Sequence, residues 1–181
     1  MKKWKQIATR VIHRDRWISL RADDCELPDG RILSPYYVME ENDWVHIVAI
    51  DSQNRVLITR QYRHAGDSIC MEIPCGGVES GEEPLDAAMR ELREETGIEA
   101  KNWKPVIAPF ANPARQTNRI HVFLASDLSD TKRQELDEGE EIEFGFSSET
   151  ELKKMIFAGE FSQALHIGSV YAALEVTRNQ A

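Results

Sequence analysis

The stretch Cys75–Ile98 constrains this chain most, because it joins a glycine turn to a strongly acidic helix. It reads CGGVESGEEPLDAAMRELREETGI and carries seven carboxylates within Glu79–Glu95. Proline suits the first turn of a helix and glycine suits its end, so Pro84 and Gly97 predict a helix over Pro84–Thr96. Like charges three or four positions apart on a helix repel each other. The stretch is therefore either a solvated acidic face or a place where positive charge sits among carboxylates.

The helix separates an apolar stripe from an acidic one. Glu91, Glu94 and Glu95 stand at i, i+3 and i+4, so they share a region of surface. Oxygen ligands without sulfur or imidazole suit a hard cation, Mg²⁺ or Mn²⁺, and Gly76-Gly77 lets the backbone approach a ligand closely. The predicted core stripe consists of Leu85, Ala88, Met89, Leu92 and Thr96.

Composition limits the partners of the chain. With 181 residues and 41% hydrophobic content, the chain is long enough for one well-buried core. The net charge of −9, from 22 basic and 31 acidic residues, argues against nucleic acid as the main partner. A second acidic cluster lies over Glu135–Glu151 and is either a solvated loop or part of the same site.

Cysteine usage and hydropathy indicate the compartment. Cys25, Cys70 and Cys75 show no CxxC spacing and predict reduced thiols. The N-terminus lacks the apolar segment of a signal peptide, and no apolar run approaches the roughly 18 residues of a membrane span. We expect a soluble, cytoplasmic protein.

Turn signals and apolar patterns divide the chain into strands and helices. Two extended runs flank Pro28-Asp29-Gly30, which predicts a hairpin. The order of elements predicts an N-terminal β-layer over residues 1–42 and a mixed α/β domain over residues 43–181. Further predicted strands are Val45–Ile50, Val56–Tyr62, Met71–Gly77 and Arg119–Ala125, and further helices are Glu149–Ala158 and Gln163–Thr177.

The acidic stretch resembles the Nudix box: G, five residues, E, seven residues, REU, one residue, EE, one residue, GU, where U is a bulky aliphatic residue. All nine specified positions over 23 residues match. They are Gly76, Glu82, Arg90-Glu91-Leu92, Glu94-Glu95 and Gly97-Ile98.

The resemblance implies a Nudix hydrolase with an α/β/α sandwich, a mixed sheet and two or three Mg²⁺ or Mn²⁺ ions. Glu91 and Glu95 would be the principal metal ligands, with Glu94 a ligand or close support. The backbone carbonyl of Cys75 would complete the inner shell. Arg90 would orient the glutamates, and Glu82 would brace the loop.

The rest of the chain resembles the subgroup of ADP-ribose and nucleoside-diphosphate-sugar pyrophosphatases. In those relatives an N-terminal β-layer exchanges across a homodimer and completes the partner's substrate pocket. Gln61-Tyr62-Arg63 and Glu72-Ile73-Pro74 before the box, and Pro113 after it, are similar to that subgroup. The implied reaction cleaves ADP-ribose, GDP-mannose or a similar compound to a nucleoside monophosphate and a sugar phosphate.

The resemblance also gives the second acidic cluster a role. Related sugar pyrophosphatases carry a mobile Glu-x-Glu loop that supplies a catalytic base and a further metal ligand. Glu140 is the preferred base here, with Glu138 second, and Gly139 lets the loop swing. A solvated acidic loop is the alternative.

Basic and aromatic residues are expected to bind the substrate. Arg63, Arg115 and Arg119 are candidates for the phosphates. His46, His121 and His166 are interpreted as structural. The candidates for stacking on the base are Trp17, Tyr36, Tyr37 and Trp44.

Two other functions remain open from the sequence. One is a housecleaning nucleoside triphosphate pyrophosphatase, against which the N-terminal layer and Pro113 argue. The other is a catalytically silent nucleotide-sugar sensor, against which the intact box argues.

Overall fold

A computed structural model describes residues 1–130, 133–136 and 139–179 of the chain. The chain forms two compact units. The first comprises Met1–Asn42 and Phe110–Arg119, and the second comprises Asp43–Pro109 and Ile120–Ala181. The sequence pattern had indicated a break near residue 42 but had not assigned Phe110–Arg119 to the N-terminal layer.

The first unit contains a three-stranded antiparallel sheet in the order β1–β2–β3, formed by β1 (Lys5–Arg14), β2 (Ser19–Glu26) and β3 (Ile32–Met39). The turn between β2 and β3 closes through a hydrogen bond of 2.9 Å from the amide of Gly30 to the carbonyl of Leu27. Gly30 has a φ of 84°, which glycine adopts without strain. The predicted hairpin is confirmed, and β1 is an additional strand.

The second unit contains β4 (Trp44–Ala49), β5 (Arg55–Arg63), β6 (Ser68–Glu72), β7 (Cys75–Gly77), β8 (Ile98–Ile107), β9 (Ile120–Asp130) and β10 (Glu143–Ser148). A four-stranded sheet has the order β7–β4–β9–β8 and is mixed, because β4 and β9 run parallel while the other pairs are antiparallel. A three-stranded antiparallel sheet has the order β10–β5–β6.

The single strand predicted over Met71–Gly77 is wrong. Its two ends belong to different sheets, β6 and β7, and Ile73 and Pro74 lie between them. Proline cannot donate to a sheet ladder, so the strand is interrupted there. Strand β8 escaped the sequence analysis because its lysines and Pro105 obscure the apolar alternation, and its pairing with β9 shifts register between Pro105 and Ile107.

The three predicted helices are confirmed as α1 (Pro84–Thr96), α2 (Glu149–Ala158) and α3 (Ala164–Arg178). Helix α1 ends at Gly97, which has a φ of 70° and donates its amide to the carbonyl of Arg93 at 2.7 Å. Over the described residues, no helix combines the length and apolarity needed for a membrane crossing.

Helix α1 buries a different face from the predicted one. Ala88, Leu92 and Thr96 are buried as expected, but Leu85 and Met89 are 37% and 41% exposed. The buried face is rotated towards Ala87, which belongs to the same core cluster as residues of β4, and towards Glu95. This rotation turns one carboxylate of the box into the protein. The core beside α1 consists of Val45, Ile47, Ala49, Leu57, Ala87, Ala88, Leu92, Ile98, Phe123 and Ala125.

Candidate active site

The acidic side of α1 faces the short strand β7. The amide of Cys75 donates to Glu95 Oε2 at 3.1 Å, and Glu95 is only 4% exposed. Because β7 pairs with β4 in the central sheet, the backbone at Cys75 and Gly76 is held rigidly against the helix. Glu91 and Glu95 therefore meet this backbone segment, whereas Glu94 bonds to Arg90 and Arg93.

Gly76 is required by contact with Glu91. A Cβ at position 76 would lie 2.0 Å from Glu91 Cδ and 2.1 Å from its Oε1, closer than any real contact. A Cβ at Gly77 would meet nothing within 4 Å. The first glycine of the turn thus forms a cradle for a carboxylate, and the second does not.

Arg90 ties the loop to the helix. Its guanidinium donates to both oxygens of Glu82 at 3.0 Å, to Glu91 Oε1 at 2.7 Å and to Glu94 Oε2 at 3.1 Å. It also donates to the carbonyl of Gly77 at 2.9 Å. Glu82 in turn accepts the amide of Glu79 at 3.0 Å. Arg90 thus links Glu82 to Glu91 and Glu94, and the orienting and bracing roles of Arg90 and Glu82 stay predictions.

Two box carboxylates carry raised pKa values. Burial raises the pKa of Glu91 to about 7, although Arg90 opposes the shift, and the charges of Glu94 and Glu140 add to it. Burial also raises the pKa of Glu95 well above its ordinary value, with a further contribution from Glu91. Arg90 does not compensate the cluster fully. Carboxylate oxygens converging on a glycine cradle, with charge left uncompensated, fit a hard divalent cation.

The second acidic cluster contributes two described carboxylates, Glu135 and Glu140, to this region. Glu140 lines the same cavity as the box, and its charge raises the pKa of both Glu91 and Glu95. Glu138, the second candidate for the base, lies outside the described residues.

A cavity of about 620 Å³ extends from the box across the second unit. Arg63 lies in its wall and forms a bidentate ion pair with Glu72, from Nε to Oε1 at 3.0 Å and from one terminal nitrogen to Oε2 at 2.5 Å. The side chain of Glu72 is fully buried, whereas that of Arg63 is 42% exposed and so reaches the cavity. Trp44 also lines it.

The cavity residues that the sequence analysis did not assign to the site include Glu72, His46 and His166. Glu72, Cys75 and His166 each offer a ligand atom within 4.8 Å of the others. The carboxylate of Glu72 is already paired with Arg63. The group of Glu72, Cys75 and His166 therefore differs from the box carboxylates, whose negative charge is not fully compensated. An acidic residue within an apolar segment directly before the box was the sequence signal that could have identified Glu72. A single histidine in an apolar pattern carries no comparable signal, so His46 and His166 could not be identified in this way.

The other predicted substrate residues belong to the first unit. Trp17 is 76% exposed, and Tyr37 is exposed as well. Arg119 stacks its guanidinium on the ring of Phe110 at 4.0 Å. The carbonyl of Arg115 accepts the amide of Met39 at 2.8 Å. His121, interpreted as structural, bonds to Asp43 within the second unit at 2.7 Å.

Comparison with known proteins identifies the family. Residues 42–165 match the NUDIX domain. The chain belongs to the Nudix family. Residues 4–39 match a second domain, described as the nucleoside diphosphate sugar hydrolase N-terminal domain. The first match confirms the family that the box predicted, and the second supports the predicted resemblance of the N-terminal layer to the nucleoside-diphosphate-sugar subgroup.

Similar proteins cover most of this Nudix hydrolase. An ADP-ribose pyrophosphatase of Bacillus subtilis (strain 168) is 36% identical over 140 residues, covering 77% of this chain and 75% of the relative. An ADP-ribose pyrophosphatase of Mycobacterium tuberculosis is 30% identical over 176 residues, covering 96% and 84%.

A solved structure supports the fold. The crystal structure of an ADP compounds hydrolase matches with a TM-score of 0.87 at 19% identity, covering 100% of this chain and 97% of that one. At that identity the likeness establishes the fold. The predicted α/β class, with a mixed sheet and an N-terminal antiparallel sheet, is confirmed.

Proposed function

We propose that this Nudix hydrolase cleaves the diphosphate of a nucleoside diphosphate sugar, such as ADP-ribose or GDP-mannose, to a nucleoside monophosphate and a sugar phosphate. The carrying observation is the pair of buried carboxylates, Glu91 and Glu95, converging on the backbone of Cys75 and Gly76 with raised pKa values. The match of residues 4–39 and the names of the relatives support the substrate class.

The donor set suits two or three Mg²⁺ or Mn²⁺ ions. Glu91, Glu95, Glu94 and the carbonyl of Cys75 would hold them, with Glu140 as a further ligand. When bound, such ions neutralise the diphosphate and lower the pKa of a nearby water molecule. Arg90 keeps the glutamates aligned through its contacts with Glu82, Glu91 and Glu94.

The remaining steps of the proposed hydrolysis involve side chains of the cavity. The oxygen of water attacks one phosphorus, the bridging P–O bond breaks, and the leaving phosphate departs with its electron pair. Glu140 accepts the proton of that water as general base, with Glu138 as the second candidate. Arg63, whose guanidinium is held by Glu72 and partly exposed to the cavity, binds a phosphate oxygen. Trp44 stacks on the substrate within the same cavity.

We also propose a role for each part of the chain. Residues 43–181 form the catalytic domain, and the N-terminal layer, residues 1–42, forms a homodimer. All ten residues of β1 are exposed, including Ile7, Val11 and Ile12. An exposed apolar strand is a surface that a second copy would cover. Trp17, Tyr37, Arg115 and Arg119 would then contribute to substrate binding. Light scattering is expected to show two chains per particle.

A substrate panel tests the reaction. The enzyme with Mg²⁺ is incubated with ADP-ribose, GDP-mannose, UDP-glucose, NADH, diadenosine polyphosphates and dGTP, and the products are separated. We expect a nucleoside monophosphate and a sugar phosphate from at least one nucleotide sugar. Cleavage of triphosphates alone would establish the housecleaning function instead, and binding of nucleotide sugars without turnover would establish a sensor.

A matched pair of variants tests the site. Glu95→Gln is expected to abolish turnover and retain the folded circular dichroism spectrum, because the amide cannot replace a charged ligand. Glu160→Gln changes an exposed glutamate of the second unit and is expected to retain full activity. Retained activity in Glu95→Gln would remove this residue from the metal site. We further expect a cytoplasmic enzyme, in keeping with three free thiols.

A further inference from the structure

Two buried histidines in the cavity wall take no part in the mechanism above. His46 lies on β4 and His166 on α3, and each is 2% exposed. Their ring centroids are 4.1 Å apart. Both line the cavity that contains Glu91 and Glu95.

The hydrogen bonds around His46 favour one tautomer. The hydroxyl of Ser169 donates its only proton to the carbonyl of Leu165 at 3.0 Å. His46 Nδ1 lies 2.9 Å from Ser169 Oγ, and because the hydroxyl proton is directed to Leu165 we assign the proton of this contact to Nδ1. In the neutral ring Nε2 is then a bare acceptor.

The hydrogen bond of His166 fixes the opposite tautomer. The backbone amide of Ile73 donates to His166 Nδ1 at 3.1 Å. Nδ1 therefore has no proton, and Nε2 carries it as a donor. Within residues 1–130, 133–136 and 139–179, neither Nε2 atom makes a hydrogen bond.

Both rings are neutral at physiological pH. Burial lowers the pKa of His46 to about 2, with a further contribution from His166. Burial and then the charge of Arg63 lower the pKa of His166 to about 3. The cavity wall thus presents one neutral acceptor beside one neutral donor.

This pair discriminates between parts of a nucleotide sugar. A phosphate oxygen without a proton accepts hydrogen bonds but cannot donate to His46 Nε2. A hydroxyl group both donates and accepts, and two neighbouring hydroxyls can satisfy both rings together. The wall is therefore suited to a sugar and unsuited to the diphosphate.

The position of the pair favours a sugar over the base. A ring nitrogen of His166 lies within 4.8 Å of Cys75 Sγ, and the amide of Cys75 lies 3.1 Å from Glu95 Oε2. The histidines are therefore close to the carboxylates that face the diphosphate. Sugars are bonded directly to the diphosphate, whereas the base lies one ribose further away.

We propose that His46 Nε2 and His166 Nε2 recognise sugar hydroxyls next to the cleaved diphosphate and determine specificity for a hydroxylated sugar. The inference rests on the proposed function and adds which moiety the cavity selects. Removal of either contact leaves a buried polar group of the substrate unpaired, which is the basis of strong discrimination.

Asparagine variants separate the structural bond of each histidine from its cavity-facing nitrogen. In His46→Asn the amide nitrogen can still donate to Ser169, and in His166→Asn the amide oxygen can still accept from Ile73. Each variant removes the cavity-facing Nε2 together with the neighbouring ring carbon Cε1 and retains a polar atom at the position of Nδ1. Glu160→Gln is the control, because it changes an exposed glutamate that does not line the cavity and retains both histidines with their bonding partners.

The measurement is kcat/KM for the nucleotide sugar and for analogues in which one sugar hydroxyl is replaced by hydrogen. We expect the wild type to lose about tenfold with the critical analogue, and each Asn variant to discriminate by less than about twofold. Glu160→Gln should keep the wild-type discrimination. A purely structural role would lower the rates for both substrates equally.

Several outcomes would overturn the inference. These are wild-type rates that are insensitive to every sugar hydroxyl, undiminished discrimination in the Asn variants, or discrimination between adenine and hypoxanthine that the Asn variants lose instead. All three occur in an enzyme that still hydrolyses nucleotide sugars, so they differ from failure of the proposed function, in which no nucleotide sugar is cleaved.

A second measurement keeps the inference testable if the Asn variants do not fold. Side-chain ¹⁵N shifts of histidine in the wild type report the tautomers directly. We expect the proton on Nδ1 of His46 and on Nε2 of His166, and both Nε2 signals should move when ribose 5-phosphate is added. The opposite tautomers, or signals that do not respond to the sugar phosphate, would refute the assignment.

Discussion

Replacing Glu91 by glutamine should stabilise the metal-free protein while destroying its site. The carboxylate of Glu91 is 15% exposed and lies against Gly76. Glutamine has the shape of a protonated glutamate, so Glu91→Gln avoids the cost of charging the group inside the protein. The same change removes a ligand for Mg²⁺.

The magnitude follows from the pKa of Glu91. Burial raises that pKa from its ordinary value of 4.5 to about 7. At roughly 1.4 kcal/mol per tenfold change in the proton equilibrium, the folded state is penalised by about 3 kcal/mol once the group is fully ionised. Glu91→Gln should raise the free energy of unfolding of the metal-free protein by that amount at pH 8.

The sign of the pH dependence is fixed by the two pKa values. Between pH 4.5 and about 7 the folded chain binds more protons at Glu91 than the unfolded chain. Stability from this group therefore falls as pH rises through that window and stays low above it. The stabilisation by Glu91→Gln should shrink to less than about 1 kcal/mol at pH 5, where the folded carboxyl is protonated.

Urea unfolding in EDTA at pH 8 and pH 5 measures these differences. Glu160→Gln, at an exposed site, is the control and should change the free energy of unfolding by less than about 0.5 kcal/mol. Saturating Mg²⁺ should reverse the order at pH 8, because only the wild type gains the free energy of binding. A metal-free Glu91→Gln protein that is no more stable than the wild type at pH 8 would refute the reasoning.

Two further changes test the cradle and the base. Gly76→Ala should strongly reduce Mg²⁺ binding and turnover, since the new Cβ would lie 2.0 Å from Glu91 Cδ, whereas Gly77→Ala, which meets nothing within 4 Å, should retain the affinity for Mg²⁺; equal calorimetric affinities in both variants would contradict the cradle. Glu140→Gln should lower kcat by roughly 100-fold or more, a typical contribution of a general base, and lower the affinity for Mg²⁺ much less. An unchanged kcat would transfer the role to Glu138.

The box and its helix could be predicted from the sequence because their information is local. Pro84 and Gly97 determine where the helix begins and ends, and the spacing of Glu91, Glu94 and Glu95 places them on one side of it. Charge repulsion within the helix left a solvated face or a cation as alternatives, and the oxygen-only ligands beside Gly76-Gly77 favoured the cation. These relations depend on a fixed rise and twist per residue and need no knowledge of distant contacts.

The tertiary structure decided which side chains are buried and what they meet. Periodicity alone placed Leu85 and Met89 on the core face of α1. In the folded chain these two side chains are partly exposed, and Ala87 and Glu95 are buried instead. The roles of His46 and His166 depend on bonds to residues 123 and 93 positions away in the chain. Burial raises a pKa, and a distant hydroxyl or amide selects a tautomer. Such effects arise only when the folded chain brings remote residues together. The candidate ligands could therefore be predicted from the sequence, whereas their protonation states depend on the tertiary structure.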